Sequence, residues 1–217
     1  MARYAGAGFV AVVVCAFGSL FGCGGASING PVTIAAGQKT GDVSTVNGEV
    51  TVGDGATIGA AMTVNGSVSL GSNVSAASVK TVNGGVKVGE ATKLSGGVTT
   101  VNGGVTLASH SDVAGGITNV NGPIKLTSAH VGGGITTVQA DIDIGSGSHV
   151  DGGIHFEKPG VSIGTSTSVP RIVIGPNAMV TGGMNFERPV KLYVSESAQI
   201  SGAIEGATAE KFSGDQP

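Results

Sequence analysis

Four histidines stand at positions 110, 130, 149 and 155, and the first three recur at a near-constant interval. Imidazoles repeated in this way could form a metal-binding stripe, because neutral ring nitrogens are good ligands for zinc-like ions. Register counts against a stripe. Numbered from the glycine-rich corners that punctuate this region, His110, His130 and His149 fall fourth, fifth and sixth in their segments, so the rings need not stack, and they read as solvated corner residues. Asp141 and Asp143 flank Ile142, with Asp151 and Glu157 not far along the chain. Two carboxylates on one strand face can act as the acid and base of glycoside hydrolysis. Such sites also need a cleft and aromatic platforms, and the connecting segments here are too short to build them. A charged outer strand face is the plainer reading. No GxxxxGK[ST] phosphate cradle occurs. The sequence therefore predicts no enzyme, no cofactor and no metal site.

Those residues must be positioned by a chain of unusual composition. Of 217 residues 40 are Gly, there is no Trp, and aromatics make up 4%, so a bulky aromatic core is excluded. Charged residues make up 12% and hydrophobic residues 40%, too apolar for a disordered tail. A net charge of -3 without clustered Lys or Arg excludes a nucleic-acid surface. The two cysteines, Cys15 and Cys23, both lie near the start, so disulfides do not hold the fold together.

The remainder is one repeat, copied. Thr45-Val-Asn-Gly48 returns at Thr63, Thr81 and Thr100, then as Asn119-Val-Asn-Gly122 and Thr137-Val-Gln-Ala140, with Ser27-Ile-Asn-Gly30 as an early copy. The aliphatic starts fall at 28, 46, 64, 82, 101, 120 and 138, a period that never varies by more than one position. Each unit divides into three pieces of similar length, with apolar pairs such as Val46/Val50, Val64/Val68 and Val82/Val86 read as facing inward. Two inward residues and a corner in each piece suit a short bending strand, not a helical face. The expected fold is all-β: a single-stranded parallel β-helix with about 18–19 residues per triangular winding, right-handed by the general preference of parallel crossovers. Asn29, Asn47, Asn65, Asn83, Asn102 and Asn121 should stack as an asparagine ladder, and Thr45, Thr63, Thr81 and Thr100 as a second one. Abundant Gly is expected at corners that need φ > 0. A meander of Asn-Gly hairpins is the rival. It fails to explain why the apolar pairs keep one phase through three unequal corner signals per unit.

Beyond Val150 the rhythm loosens. Gly152-Gly-Ile-His-Phe-Glu-Lys-Pro159 and Gly182-Gly-Met-Asn-Phe-Glu-Arg-Pro189 are evident copies, yet they stand too far apart for one winding and too close for two, which implies an incomplete or bulged winding. The solenoid is expected over 28–206, with a polar, frayed tail at 207–217.

The first residues read as an address. One cation, Arg3, precedes an apolar run from Ala5 to Phe21 that ends Leu20-Phe21-Gly22-Cys23. This resembles the bacterial lipobox, which implies a lipoprotein signal peptide over 1–22, a lipid-modified Cys23 and a short linker over 23–27. Several acyl chains on one residue make membrane attachment stable. In lipoprotein sorting as the resemblance implies it, Gly24 in place of Asp favours the outer membrane of a bacterial envelope. The aliphatic-Gly pieces (Val52-Gly, Ile58-Gly, Leu70-Gly, Val88-Gly and Ile174-Gly-Pro-Asn-Ala-Met-Val-Thr-Gly) resemble the bactofilins, bacterial polymer-forming cytoskeletal proteins with a triangular β-helix. Hexapeptide acyltransferases share such pieces but need a catalytic His beside a protruding loop, and no insertion interrupts 28–155. Functionally, a non-enzymatic envelope lipoprotein with a scaffolding role is expected, a homo-oligomer or polymer assembled through solenoid ends or faces. The alternative is a module that binds envelope polysaccharide or a protein partner.

Overall fold

The computed structural model describes residues 25–158 and 169–217. These form an all-β parallel solenoid, without helix among the described residues. Three faces are wound in turn. Face A holds ten stacked strands, from Gly25–Ser27 through Val43–Asn47 to Ile204–Glu205; face B holds ten, from Val32–Ile34 to Ala209–Phe212; face C holds seven, from Ser75–Ala76 to Gln199–Ile200. Bridges from Lys39 to Thr57 and from Thr57 to Ser75 carry face C toward the amino end. Ten strands on face A make nine steps, a rod of roughly 43 Å at ~4.8 Å per step.

The core follows from strand alternation. Strands on faces A and B bury residues i and i+2, as in Val43/Thr45 and Val50/Val52, and leave the residue between them outside. Equivalent inward residues pair directly above one another, Val50 with Val68 and Val68 with Val86, so they form continuous columns. Complete burial of each such aliphatic side chain contributes about 1.5–3 kcal/mol.

This alternation corrects the expected pairing in the Asn-Gly segments. Val50, Val68 and Val86 are fully buried, but Val46, Val64 and Val82 are about 40% exposed, and the buried residues are Thr45, Thr63, Thr81 and Thr100. Being polar does not keep these threonines outside, because each hydroxyl donates to a corner carbonyl of the winding below: Thr45 to Gly30 (2.9 Å), Thr63 to Gly48 (2.9 Å), Thr81 to Gly66 (2.9 Å) and Thr100 to Gly84 (3.1 Å). They are satisfied singly by the backbone and do not form a side-chain ladder. In other segments the expected pairs do point inward, for example Ile174/Ala178 and Val180/Met184.

The corners also divide into two kinds. Between faces B and C one left-handed residue stacks in winding after winding: Gly37, Gly55, Asn73, Ala91, His110, Ser128, Gly147 and Asn177, with φ between 44° and 70°. Between faces A and B the glycine after each ladder asparagine meets a different demand. A Cβ on Gly48, Gly66, Gly84 or Gly103 would overlap the carbonyl of the equivalent glycine one winding below. There the close approach of backbones, not φ, requires glycine.

The uneven spacing of the Gly-Gly copies is explained by pairing. Ile154 pairs with Met184 and Ile142 with Ile172, so the ladders on faces A and B run on unbroken while one winding carries an insertion between Ile154–Phe156 and Arg171–Ile174. Residues 159–168 of that segment lie outside the described residues. The carboxyl end is not frayed: Ala209–Phe212 adds in parallel to Lys191–Ser195 and forms the last strand of face B.

Candidate functional site

The asparagine ladder occupies the corner between faces A and B. Asn47 Nδ2 donates to Asn29 Oδ1 (2.8 Å), Asn65 to Asn47 (2.8 Å), Asn83 to Asn65 (2.9 Å), Asn102 to Asn83 (3.0 Å) and Asn121 to Asn102 (3.1 Å). Each amide donates downward and accepts from above, so the chain of dipoles points one way along the rod. Each exposed bond of this kind contributes at the lower end of about 0.5–1.5 kcal/mol. The ladder holds register: a slip by one residue would put Gly opposite Asn. Cys23, the expected lipid-bearing residue, lies outside the described residues.

The titratable cluster is on face C. His130 and His149 are direct register partners, with Asp112 beneath His130. Their rings therefore do approach, with centroids 5.6 Å apart and planes 60° from parallel. Numbering from corners hides this because corners gain or lose a residue. The signal that reveals it is the inward residue that follows each one: Asp112-Val113, His130-Val131 and His149-Val150 share one phase. His110 belongs to a different row, at the left-handed corner.

Geometry fixes the charge of His130. Its Nδ1 is 2.7 Å from Asp112 Oδ1 and its Nε2 3.0 Å from Asp151 Oδ2. Ionised carboxylates only accept, so a ring that satisfies both must donate from both nitrogens and be an imidazolium. The hydrogen bond to Asp151, then that to Asp112, holds the His130 pKa above the ordinary imidazole value, against a smaller downward pull from burial. The same bond, from His130, holds Asp151 below the usual carboxylate value. His149 Nε2 lies 3.0 Å from Asp151 Oδ1 but off the line of a hydrogen bond, and is itself covered.

The sign of the pH effect follows. A folded-state pKa raised above about 6.5 gives His130 a stabilising contribution that is complete below that value and is lost as pH rises through the folded value. The Asp151 contribution, from a lowered pKa, is present above about 3.9 and lost as pH falls through its folded value. The cluster thus stabilises most in mildly acidic solution. In a proton NMR titration His130 is expected to titrate above about 6.5, and Asp151→Asn to bring it down. A His130 midpoint at or below the ordinary imidazole value in the unaltered chain would contradict the arrangement.

The other acidic residues do not converge. Asp143 lies on face B, 4.0 Å from Lys125, and Asp141 at the neighbouring corner accepts the Arg171 backbone N–H at 2.8 Å. Glu157 follows a face A strand and His149 lies on face C, so Asp143, His149 and Glu157 line no common cavity. His155, on face A, is 3.9 Å from Glu187. Among the described residues no group of three or more His, Cys, Asp or Glu could hold a metal ion. An open hollow of about 580 Å³ lies at the corner between faces A and B near the carboxyl end, bordered by Arg188, Pro189, Val190, Ala207 and Thr208. The His130 cluster is on another face.

Fold and surface together define a single-stranded parallel β-solenoid of about nine turns with a register-keeping amide ladder. No protein-family model, no curated protein and no solved structure matches the chain.

Proposed function

We propose that this chain is a bacterial envelope lipoprotein, attached to a membrane through Cys23 and serving as a bactofilin-like scaffold rod that assembles with copies of itself. The observation that carries the reading is the position of the solenoid. Its first strand, Gly25–Ser27, begins just after the cysteine of Leu20-Phe21-Gly22-Cys23. A lipid on Cys23 would leave almost no tether, and the rod would start at the membrane surface. Among the described residues no helix is long and apolar enough to cross a membrane. Outer-membrane placement is part of the same proposal and rests on Gly24.

A scaffold also suits what the outer surface offers. The ends of a parallel solenoid present unpaired backbone groups that can template another chain. The last winding leaves Ile200, Ile204 and Ala207 only partly covered against the core. Metabolic labelling with radioactive palmitate tests the anchor: the unaltered protein is expected to carry label and Cys23→Ala to carry none. Equal labelling of both, or of neither, removes the lipoprotein reading. Light scattering of the detergent-extracted protein tests assembly, and a strict monomer at all concentrations removes the scaffold reading. The alternative, binding of envelope polysaccharide, is favoured by the outward hydroxyl row Thr33, Thr51 and Ser69 on face B. It predicts retention on polysaccharide without self-assembly.

A further inference from the structure

Face A differs from the other two in what it shows to water. Over its first seven strands two rows point outward. One runs from Ile28 through Val46, Val64 and Val82 to Val138; the other runs from Ser44 and Met62 to Thr136. Ile28 is 72% exposed, Val46 41%, Val64 40% and Met62 39%. Among the described residues Lys80 is the one charged side chain in these two rows over this stretch. Face B carries Lys87, Lys125 and Asp143 outward in the same windings, and face C carries Lys93, Asp112, His130 and His149. Folding does not require the aliphatic row. The inner columns are complete without it, and solvent-facing strand positions are ordinarily polar. The result is an exposed aliphatic stripe, bordered on one side by the ladder amides and on the other by a row made mostly of Ser and Thr, and such a stripe marks a contact surface.

We infer that face A packs against face A of a second copy of this chain, with the two rods side by side and pointing the same way. The inference rests on the scaffold reading and names the surface it uses. Three observations select the occupant. The face is a lattice with a rung about every 4.8 Å, and a second copy matches it rung for rung, including the places where the repeat lengthens by one position. The charge placement selects the direction. Lys80 sits beside the fourth of seven rungs, so an antiparallel pair would bring the two Lys80 rows together at mid-face. A parallel two-fold axis along the rods sets each Lys80 near the uncharged Gly84-Gly85 corner of the partner. The size suffices: about 15 Å by 34 Å covers roughly 500 Å² on each copy and about 1,000 Å² for the pair, the lower bound for a specific interface. Two rods anchored at their amino ends to one membrane are already parallel, and tethering raises their effective concentration.

Cysteine cross-linking on the full lipidated chain in detergent tests this. Val46→Cys, Val64→Cys, Val82→Cys and Val101→Cys, made one at a time, are each expected to give disulfide-linked dimers under mild oxidation. Ser75→Cys on face C should give at least tenfold less. Val64→Lys, which alters an exposed side chain, should leave the β-sheet circular dichroism spectrum unchanged and abolish dimers in the Val101→Cys background. Dimers from Val82→Cys alone would indicate antiparallel packing and overturn the inference. So would assembly by light scattering without cross-links on face A, and that result would leave the scaffold reading standing on the solenoid ends. A strict monomer would overturn both.

Discussion

Gly84→Ala is expected to destabilise the middle of the rod strongly, whereas Gly85→Ala, one residue further on, should leave stability within about 0.5 kcal/mol. A Cβ on Gly84 would overlap the carbonyl of Gly66. That carbonyl also accepts the hydroxyl of buried Thr81 at 2.9 Å, so it cannot move away without stranding a buried donor. Gly84 N–H is in turn bonded to Asn102 in the next winding at 2.9 Å. Three stacked layers would have to yield to one methyl group. Overpacking against backbone on this scale costs about 3 kcal/mol, the upper end of the usual range. For a chain of this size that lowers the thermal midpoint by about 10 °C. At position 85 the nearest atom to an added Cβ is the Gly104 carbonyl oxygen at 3.3 Å, and the equivalent residues of other windings are Pro31, Glu49, Ser67 and Pro123. Circular dichroism melts of the two variants decide the point. Equal midpoints would mean that the corners do not stack as described.

The contrast between these adjacent glycines also bears on what a sequence can disclose. Spacing alone places Asn47 over Asn29 and Asn65 over Asn47, because a constant period fixes which residues are stacked whatever the details of a turn. It cannot say which side of a strand faces inward. Thr45 and Val46 are neighbours, and hydrophobicity favours burying the valine. The outcome is reversed by the Gly30 carbonyl, which turns a buried hydroxyl into a satisfied one, and that acceptor belongs to another winding. The His130–His149 contact is hidden for a related reason: segments counted from corners lose phase wherever a winding gains a residue. Composition likewise suggests positive φ for glycine at every corner, when only the corner between faces B and C uses it in winding after winding. The last strand, Ala209–Phe212, reads Ala-Glu-Lys-Phe, without the aliphatic pair of the other face B strands, and looks like a polar tail although Gly206 marks a corner before it. Its order comes from an edge already built by Lys191–Ser195.

The second large effect is expected from Phe156→Ala. Along the inner row of face A next to the ladder corner, Thr100, Asn119 and Thr137 occupy successive windings, and then Phe156 and Phe186 take the same place. The change coincides with the loss of the Asn-Gly corner. Below it, a small polar side chain reaches a corner carbonyl, as Asn119 does to Gly103 at 2.8 Å. Above it, Glu157-Lys158 follow the strand and no such glycine is present, so a ring fills the interior instead. Phe156 is completely buried and its ring centroid is 5.7 Å from that of Phe186. Removing it leaves a cavity at the junction between the regular windings and those above the inserted residues, at a cost of about 3–5 kcal/mol. In a solenoid each winding contacts only its neighbours, so the loss should divide the rod and not weaken it evenly. Hydrogen exchange is expected to show lost protection in Arg171–Ile174, Met184–Phe186 and Lys191–Ser195, with Val43–Asn47 and Val98–Asn102 retaining theirs. Phe156→Leu, which keeps most of the volume, should recover the larger part of that protection. If protection instead fell uniformly from Val43 to Phe212, the rod would be one cooperative unit, and the phenylalanine pair would not be the joint between its two parts.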